Sequence, residues 1–407
     1  MSAIPKLVVV ETHPVQYHAP VYRAVQEKFS IPVTAIYGSD FSVQGYRDRE
    51  FGAFFSWDTD LLSGYEAIFL SRVAEGGADS ADVTSAQGLS RVLEILGPSV
   101  VLLTGYGGQF YRGAIAQLWK RRNPLLFRAE TTDHGSNRNA AKAWLRDQAL
   151  RRLYARCAQL MYIGQHSYRH LTRLGCPAEK LFFSPYCVDA SRFQCDEKAR
   201  ASLRPETRAE LGIAESDIVL LFSGKLTPKK APQLILEAVR QLPEDLCRRC
   251  YVLYMGDGEL RGQIDSLCRQ QPAVRARLLG FQNQTALSRY FHAADLLILP
   301  TLHSETWGLV VNEALHHGVP CVVSDAVGSA ADLIRPSTGA VCQTGSANSL
   351  AEAIAHVYPL LARLETRAAC RLAVSSYGVE DAARGIAQAF ESITAESRAD
   401  GQVKVSV

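Results

Sequence analysis

Two carboxylates, Glu305 and Glu313, stand eight residues apart within residues 300–320. That stretch reads as strand end, loop, helix and stop. Pro300 closes an apolar run, Ser304 or Thr306 stands where a helix cap would, and Gly318 with Pro320 supplies stop chemistry. If the segment were wholly helical, eight residues would turn through about 800°, leaving the two acids about 80° apart around the axis and about 12 Å apart along it. They do not form a close acid pair, whereas glycosidase carboxylates face one bond at roughly 5–10 Å. The spacing suits one elongated ligand. A sugar linked to a nucleoside diphosphate has the right length, with its ribose on Glu313, its sugar hydroxyls on Glu305, and its phosphates over the amides of Gly308 and Leu309. A plain amphipathic helix with Glu313 on a solvated face explains the spacing equally well.

Residues 222–232 tip the balance. Gly224 allows close backbone approach, and Lys225 and Lys230 can bracket a diphosphate at a strand-to-helix turn. The order of a Walker phosphate loop is absent. Two ammonium groups beside a departing diphosphate can supply the charge that magnesium supplies elsewhere, and no acidic D-x-D cluster is visible, so no metal and no other cofactor is expected.

The elements that must position these groups are legible from hydrophobic patterning. Short β-branched runs at residues 6–11, 31–37, 99–104, 124–128 and 160–163 alternate with helical patterns such as 111–122. After a polar stretch, 196–217, the same grammar restarts: strands at 218–223, 251–255, 277–279, 296–300 and 321–324, helices at 232–241, 258–270, 285–294 and 307–317. This predicts an α/β chain of two Rossmann-like domains, 1–195 and 196–378, each a mainly parallel sheet covered by helices, with any ligand in the cleft between them. A helix at 379–395 and a frayed tail at 396–407 complete the reading.

Composition agrees with two globular domains. The 407 residues are 47% hydrophobic and 21% charged, which fits neither a disordered chain nor a coiled coil. The formal charge of +3 offers no case for a nucleic-acid partner. Ten cysteines are dilute at this length, Cys247 and Cys250 form a lone C-x-x-C without partners at zinc spacing, and residues 1–30 lack a signal-peptide pattern. A cytoplasmic location is expected, and the apolar runs are too short to cross a bilayer.

Taken in order, several features resemble the donor-binding domain of retaining, GT-B-fold glycosyltransferases of family 4: residues 184–193, Gly224 with Lys225, Leu226 and Lys230, residues 256–260, residues 279–281, residues 293–300, and Glu305 with Glu313. The resemblance covers about residues 155–340. It implies that a sugar is transferred with retention from a nucleotide-diphosphate-sugar donor to a glycan or lipid-linked acceptor, as in bacterial surface polysaccharide or glycoconjugate synthesis. By the same resemblance Lys225, Lys230 and Glu305 would act on the diphosphate and the transferred sugar. Gly224, Gly256, Gly258, Phe281, Gln282, Gly308, Leu309, Val310 and Glu313 would bind the donor, and the helix at 379–395 would cross back onto the first domain. Lys225 stands where the family often has Arg, Ala231 where it often has Gly, and Thr306 with Trp307 where it often has Gly-Phe.

The first domain is read more from its residues. Residues 11–20 follow the first strand and resemble a His-Pro-x-Gln-Tyr opening of some bacterial members; His13, Gln16 and His18 are expected to line the acceptor side rather than bind zinc. Glu130 and His134, beyond another strand, are expected on the same side. From Leu118 to Arg173 the chain holds 12 Lys and Arg against 3 Asp and Glu. Within it, helical residues 139–157 carry Lys142, Arg146, Arg151, Arg152 and Arg156 beside Trp144 and Leu145. This face either contacts anionic lipid at the inner face of the membrane or is a solvated surface covering the sheet. An epimerase or hydrolase of similar fold, and a non-catalytic nucleotide-sugar-binding partner, also fit the donor residues.

Overall fold

The computed structural model describes residues 6–47, 54–55, 59–134, 139–270 and 274–403. The first sheet contains β1 (Lys6–Glu11), β2 (Val33–Tyr37), β3 (Glu66–Phe69), β4 (Ser99–Leu103), β5 (Leu125–Arg128), β6 (Gln159–Tyr162) and β7 (Leu181–Phe183). Its order is β3-β2-β1-β4-β5-β6-β7, and every pairing is parallel. The second sheet contains β8 (Ile218–Ser223), β9 (Cys250–Met255), β10 (Arg275–Gly280), β11 (Leu296–Leu299), β12 (Cys321–Ser324) and β13 (Gly339–Cys342), in the order β10-β9-β8-β11-β12-β13. These pairings are parallel too.

Leu7, Val8, Val9 and Val10 are all fully buried, as are Val219, Leu220, Leu221 and Phe222. Consecutive buried residues on a strand mean that both faces are covered, which a parallel sheet requires. In each sheet the strand order reverses beside the first strand, at β1/β4 and at β8/β11, and a crevice forms beyond the carboxyl ends there. The strands that sequence patterning passes over, β3, β7 and β13, are all sheet edges with incomplete burial.

Helices α1 (Ala19–Phe29), α2 (Gly108–Trp119), α3 (Ala140–Arg156) and α4 (Gln165–Arg173) belong to the first domain. Helix α5 (Glu197–Leu211) occupies the stretch that reads only as a polar boundary, and it packs on α6 (Gln284–Ala293). Asp196 caps it by accepting from the Ala199 amide at 2.7 Å. Its apolar periodicity is weak because an arginine fills the buried face. Arg208 is 1% exposed and donates to Asp295 Oδ2 at 2.6 Å and to the carbonyls of Ala293, Ala214 and Asp217 at 3.0–3.1 Å. Helix α7 (Val310–His316) starts the turn below the cleft.

Helix α8 (Val379–Val403) crosses back to the first domain, where Ala382, Ala383, Ile386, Ala387 and Phe390 join the core beneath α1. It continues eight residues past the expected end at 395, so residues 396–403 are helix rather than tail. No proline interrupts residues 396–403, and Glu396, Arg398 and Gln402 favour a helix without giving any apolar signal.

Candidate active site

A cavity of about 440 Å³ lies where the two sheets face each other, and both domains line it. From the second domain come Gly224, Lys225, Lys230, Gly256, Phe281, Gln282, Glu305, Gly308, Leu309, Val310 and Glu313; from the first come His13, Gln16 and Tyr17. Residues separated by almost 300 positions thus meet at one ligand-sized space.

The floor is backbone. A Cβ on Gly256 would stand 1.9 Å from the Gly224 carbonyl oxygen, so the ends of β8 and β9 touch only because Gly256 has no side chain. Gly258 is not among the cavity-lining residues: it packs against Leu226, whose carbonyl oxygen a Cβ would approach to 2.6 Å. Past Gly224, a tight turn at Pro228–Lys230 presents Lys230, and Ala231 follows in the left-handed region at φ 46°. A glycine would hold that position without strain, which gives the resemblance's Gly-to-Ala departure a structural meaning.

Glu305 and Glu313 do not share a helix. Helix α7 begins only at Val310, and its cap residue Leu309 offers no side-chain hydrogen bond, so neither Ser304 nor Thr306 caps it. Ser304 takes φ 57°, Gly308 takes φ 89°, and the buried Trp307 indole donates to Asn312 Oδ1 at 2.8 Å, folding the loop back over the helix. Glu305 sits in that loop, joined to Val327 by a single bridge, with its carbonyl accepting from the Gly328 amide at 3.0 Å. Its carboxylate forms an ion pair with Lys230 and accepts from Thr301 Oγ1 at 3.3 Å. Both partners are largely buried, with side chains 13% and 17% exposed.

Glu313 is buried on the first turn of α7, and burial pushes its carboxyl up to about 8. The hydroxyl of Tyr17, reaching across from the first domain, hydrogen-bonds it and opposes part of that rise. His13 lies beside Tyr17 in the lining, its ring tilted by 34° against Phe41 with centres 4.5 Å apart, and burial lowers its imidazole to about 4. It is neutral at physiological pH.

A second cavity of about 390 Å³ belongs to the first domain and is lined by His18, Glu130, residues 104–107, Tyr111, Arg128 and Tyr186 among others. His18 Nδ1 lies 2.6 Å from Glu11 Oε1, and Glu11 Oε2 accepts from the Tyr22 hydroxyl at 3.1 Å. Glu130 Oε2 accepts from Thr306 Oγ1 at 2.5 Å, a contact across the cleft. His134 lines neither cavity; it stacks on His166 with ring centres 3.8 Å apart.

Two further contacts tie the domains together: the Asp332 carboxylate accepts from the Gln165 amide at the start of α4 at 3.1 Å, and Asn312 donates to Tyr186 O at 3.3 Å. Within the second domain Asp332 also accepts from the Tyr377 hydroxyl at 2.9 Å, and within the first Arg128 donates to Ser184 Oγ at 2.8 Å and Pro185 O at 2.7 Å. Sequence reasoning missed Tyr17, Tyr186 and residues 104–107 as cavity residues. The glycines at 105, 107 and 108 signal a loop after β4 and gave a local clue; Tyr186 had none. Among the described residues no group of three or more His, Cys, Asp or Glu could hold a metal ion, and Cys250, buried and pushed up to about 12, is not a thiolate.

Two parallel sheets facing across a cleft, with the last helix packed back on the first domain, define the GT-B architecture. Solved structures of that architecture align over nearly the whole chain. They include Anabaena Alr3699/HepE in complex with UDP and glucose (TM-score 0.67, 15% identity, 95% of this chain and 100% of that one), sucrose-phosphate synthase from Thermosynechococcus elongatus (0.69, 15%, 96% and 100%) and WaaG, a glycosyltransferase involved in lipopolysaccharide biosynthesis (0.62, 16%, 94% and 98%). At these identities the likeness is one of fold.

Residues 204–392 match the family of glycosyl transferases group 1. In sequence the chain is similar to D-inositol 3-phosphate glycosyltransferases from Geodermatophilus obscurus (32% identical over 200 residues, 47% of this chain and 42% of the relative) and Mycobacterium marinum (34% over 153 residues, 37% and 32%). The chain thus spans less than half the length of these relatives.

Proposed function

We propose that this protein is a glycosyltransferase that moves a sugar, with retention of configuration and without a metal, from a nucleotide-diphosphate-sugar donor to a glycan or lipid-linked acceptor. The observation that carries this reading is the convergence of Lys225, Lys230, Glu305, Glu313 and the backbone at 308–310 on one cavity beyond the carboxyl ends of β8 and β11. The group 1 family match covers the same domain, and one structural neighbour carries UDP and glucose.

Two pairs of side chains in the cleft hold each other through contacts that a donor could replace. Lys230 holds Glu305, and Tyr17 holds Glu313. A diphosphate entering over Gly224 takes Lys230, together with Lys225, as counter-charge. Glu305 is then released to the hydroxyls of the transferred sugar. A ribose takes the place of Tyr17 on Glu313. As the bond from the anomeric carbon to the diphosphate oxygen breaks, the lysines stabilise the charge gathering on the leaving group, more strongly than in the ground state. The acceptor hydroxyl attacks from the same face and gives its proton to a leaving phosphate oxygen.

The acceptor side is the first domain, and its basic surface gives it a second attachment. On α3, Trp144 and Leu145 are 61% and 62% exposed beside Lys142, Arg151 and Arg152. Exposed apolar groups among cations suit an anionic lipid surface, and the work would be done at the inner face of the membrane in surface polysaccharide or glycoconjugate assembly. No helix among the described residues is long and apolar enough to cross a membrane.

The test is a thermal-shift screen of nucleoside diphosphates and their sugars. A true ligand at about 100 times its dissociation constant adds about 2.7 kcal/mol to stability. The best donor is then turned over and the anomeric configuration of the product read by NMR. No shift with any nucleotide sinks the donor reading; an inverted product sinks retention; turnover that never requires an acceptor points to a hydrolase or epimerase.

A further inference from the structure

The glycine at 164, between β6 and α4, is not there for its backbone. Its φ of 176° and ψ of −175° are extended rather than left-handed, so close approach by another group is the remaining reason for it. That group belongs to the other domain. A Cβ at 164 would stand 2.3 Å from Trp307 Cζ3, 2.8 Å from Trp307 Cη2 and 3.0 Å from Asp332 Oδ2. Carbon atoms settle about 3.5–4.0 Å apart, so the indole fills the space that any side chain at 164 would need.

Both sides of this contact are fixed. In the first domain Ser167 Oγ accepts from the amides of Ile163 and Gly164 at 2.8 and 3.2 Å and donates to the Gly164 carbonyl at 2.9 Å. In the second, Trp307 is 2% exposed, donates to Asn312 and stacks on Tyr377 with ring centres 5.6 Å apart. The chain around Trp307 carries the donor site: Glu305 precedes it by two residues, and Gly308 and Leu309 follow it into the first cavity. Trp307 itself lines neither cavity.

This loop is gripped from two directions. Within the second domain the carbonyls of Glu305 and Trp307 accept from the amides of Gly328 and Ser329 at 3.0 and 2.9 Å. From the first domain Glu130 takes the Thr306 hydroxyl, and Gly164 receives the Trp307 ring. A hydroxyl contact at an exposed carboxylate can slide, whereas a buried ring against backbone cannot, because a close-packed contact transmits displacement.

We propose that Trp307 is a positioning residue: seated against Gly164, it carries the arrangement of the two domains into residues 305–308 and so sets where Glu305 meets the transferred sugar. This rests on the transferase reading above. The donor site is then fully built only with the first domain in place, which ties alignment of the sugar to the presence of the acceptor's domain.

Gly164→Ala in the full-length protein tests it. The added methyl pushes the indole back by about 1 Å, and a displacement of that size costs about 100-fold in rate. At saturating donor kcat should fall by that factor, while affinity for the tightest binder among UDP, GDP, ADP and dTDP stays within about threefold. Adding Trp307→Phe, whose ring is shorter, should return kcat to the level of Trp307→Phe alone, a strongly non-additive pair. Hydrogen exchange gives a readout that needs no ligand. The Gly328 and Ser329 amides should exchange faster in Gly164→Ala while those of β8 keep their rates. If Gly164→Ala does not fold, Trp307→Leu, which removes the ring without a clash, must show the same split between kcat and nucleotide affinity and the same faster exchange. Unchanged exchange at 328 and 329, kcat within about threefold of the parent, additive losses, or nucleotide affinity that falls as far as kcat overturns the proposal. If the unaltered protein binds none of the four nucleotides, the donor reading fails, and the exchange rates alone decide whether Trp307 couples the domains to the loop.

Discussion

At the carboxyl end of β8 the second sheet presents backbone and cations, Gly224, Lys225 and Lys230, whereas past the carboxyl end of β1 the first presents two imidazoles and a phenol, His13, His18 and Tyr17, with the buried Glu11 carboxylate behind His18. Two sheets of the same design thus end on one cleft with different chemistry. The second domain's groups come from compact stretches, the lysines five positions apart and the acids eight. The first domain assembles its cavity from loops after β1, β4 and β5 and from the Tyr186 segment, spread over almost 170 positions. A phosphate is met by charge and amides that one turn can supply; a sugar acceptor is met by faces and edges that several strands must bring together.

The comparison breaks most completely if the second domain loses its frame while its cleft residues stay intact. Arg208→Ala takes one of two guanidinium partners from Asp295, which keeps Arg204 and the Val219 amide, and removes the buried donor to the carbonyls of Ala214, Glu215 and Asp217. Removing one member of a buried pair costs about 3–5 kcal/mol, so urea denaturation should show that loss with the first domain's own transition little changed. Next in size is a change to the donor chemistry alone. Lys230→Ala should lower kcat by about 10²–10³-fold, as does loss of one preorganised charge at a transition state, with the melting temperature nearly unaltered. Unchanged turnover would remove Lys230 from the diphosphate.

Glu313→Gln sharpens the contrast because stability and binding should move in opposite directions. The folded carboxyl lies near 8, above the ordinary 4.5, because burial favours its neutral form. The stability tied to that proton is therefore fully present below 4.5 and is lost as the pH rises through 8. A permanently neutral glutamine escapes that loss, and the variant should melt higher than the parent at pH 8.5 and no higher at pH 4. It also gives up a charged acceptor for the ribose, so the donor KM should rise by about tenfold, and the parent's tightening of donor binding between pH 6 and 8 should vanish. Calorimetry across this pH range reads both effects.

What the sequence made legible follows the same division. Alternating apolar runs predict both sheets, and the β1 and β8 boundaries agree to the residue because a central parallel strand is apolar on both faces. The edge strands and α5 escape because their packing is partly polar: Arg208 does in α5 what a leucine would do elsewhere, and no periodicity scan counts it as core. At the site, Gly224, Lys225, Lys230, Glu305 and Glu313 can be picked out from local spacing and do meet at one cavity, whereas the picture of the two acids on one helix fails because burial of Trp307 folds the chain before the helix starts. Tyr17 is adjacent to expected residues yet invisible as a partner of Glu313, since nothing local relates positions 17 and 313. Gly258 and His134 show the converse, residue types suited to a site but committed to packing.

The smallest effect expected lies farthest from the cleft. Arg146 and Arg156 of α3 are turned to the protein, donating to Tyr106 and Asp133 and to the carbonyls of Arg121 and Asn123, so two of the helix's five cations are structural. Lys142, Arg151 and Arg152 remain exposed with Trp144 and Leu145, and each exposed cation adds about 1 kcal/mol of attraction to an acidic surface. Replacing Trp144 and Leu145 together by serine should weaken sedimentation with phosphatidylserine vesicles several-fold while leaving kcat toward a water-soluble acceptor unchanged, because neither side chain lines a cavity. Binding of the parent that is indifferent to salt and to acidic lipid would mean that this face is simply solvated, and the first domain would then differ from the second only at the cleft.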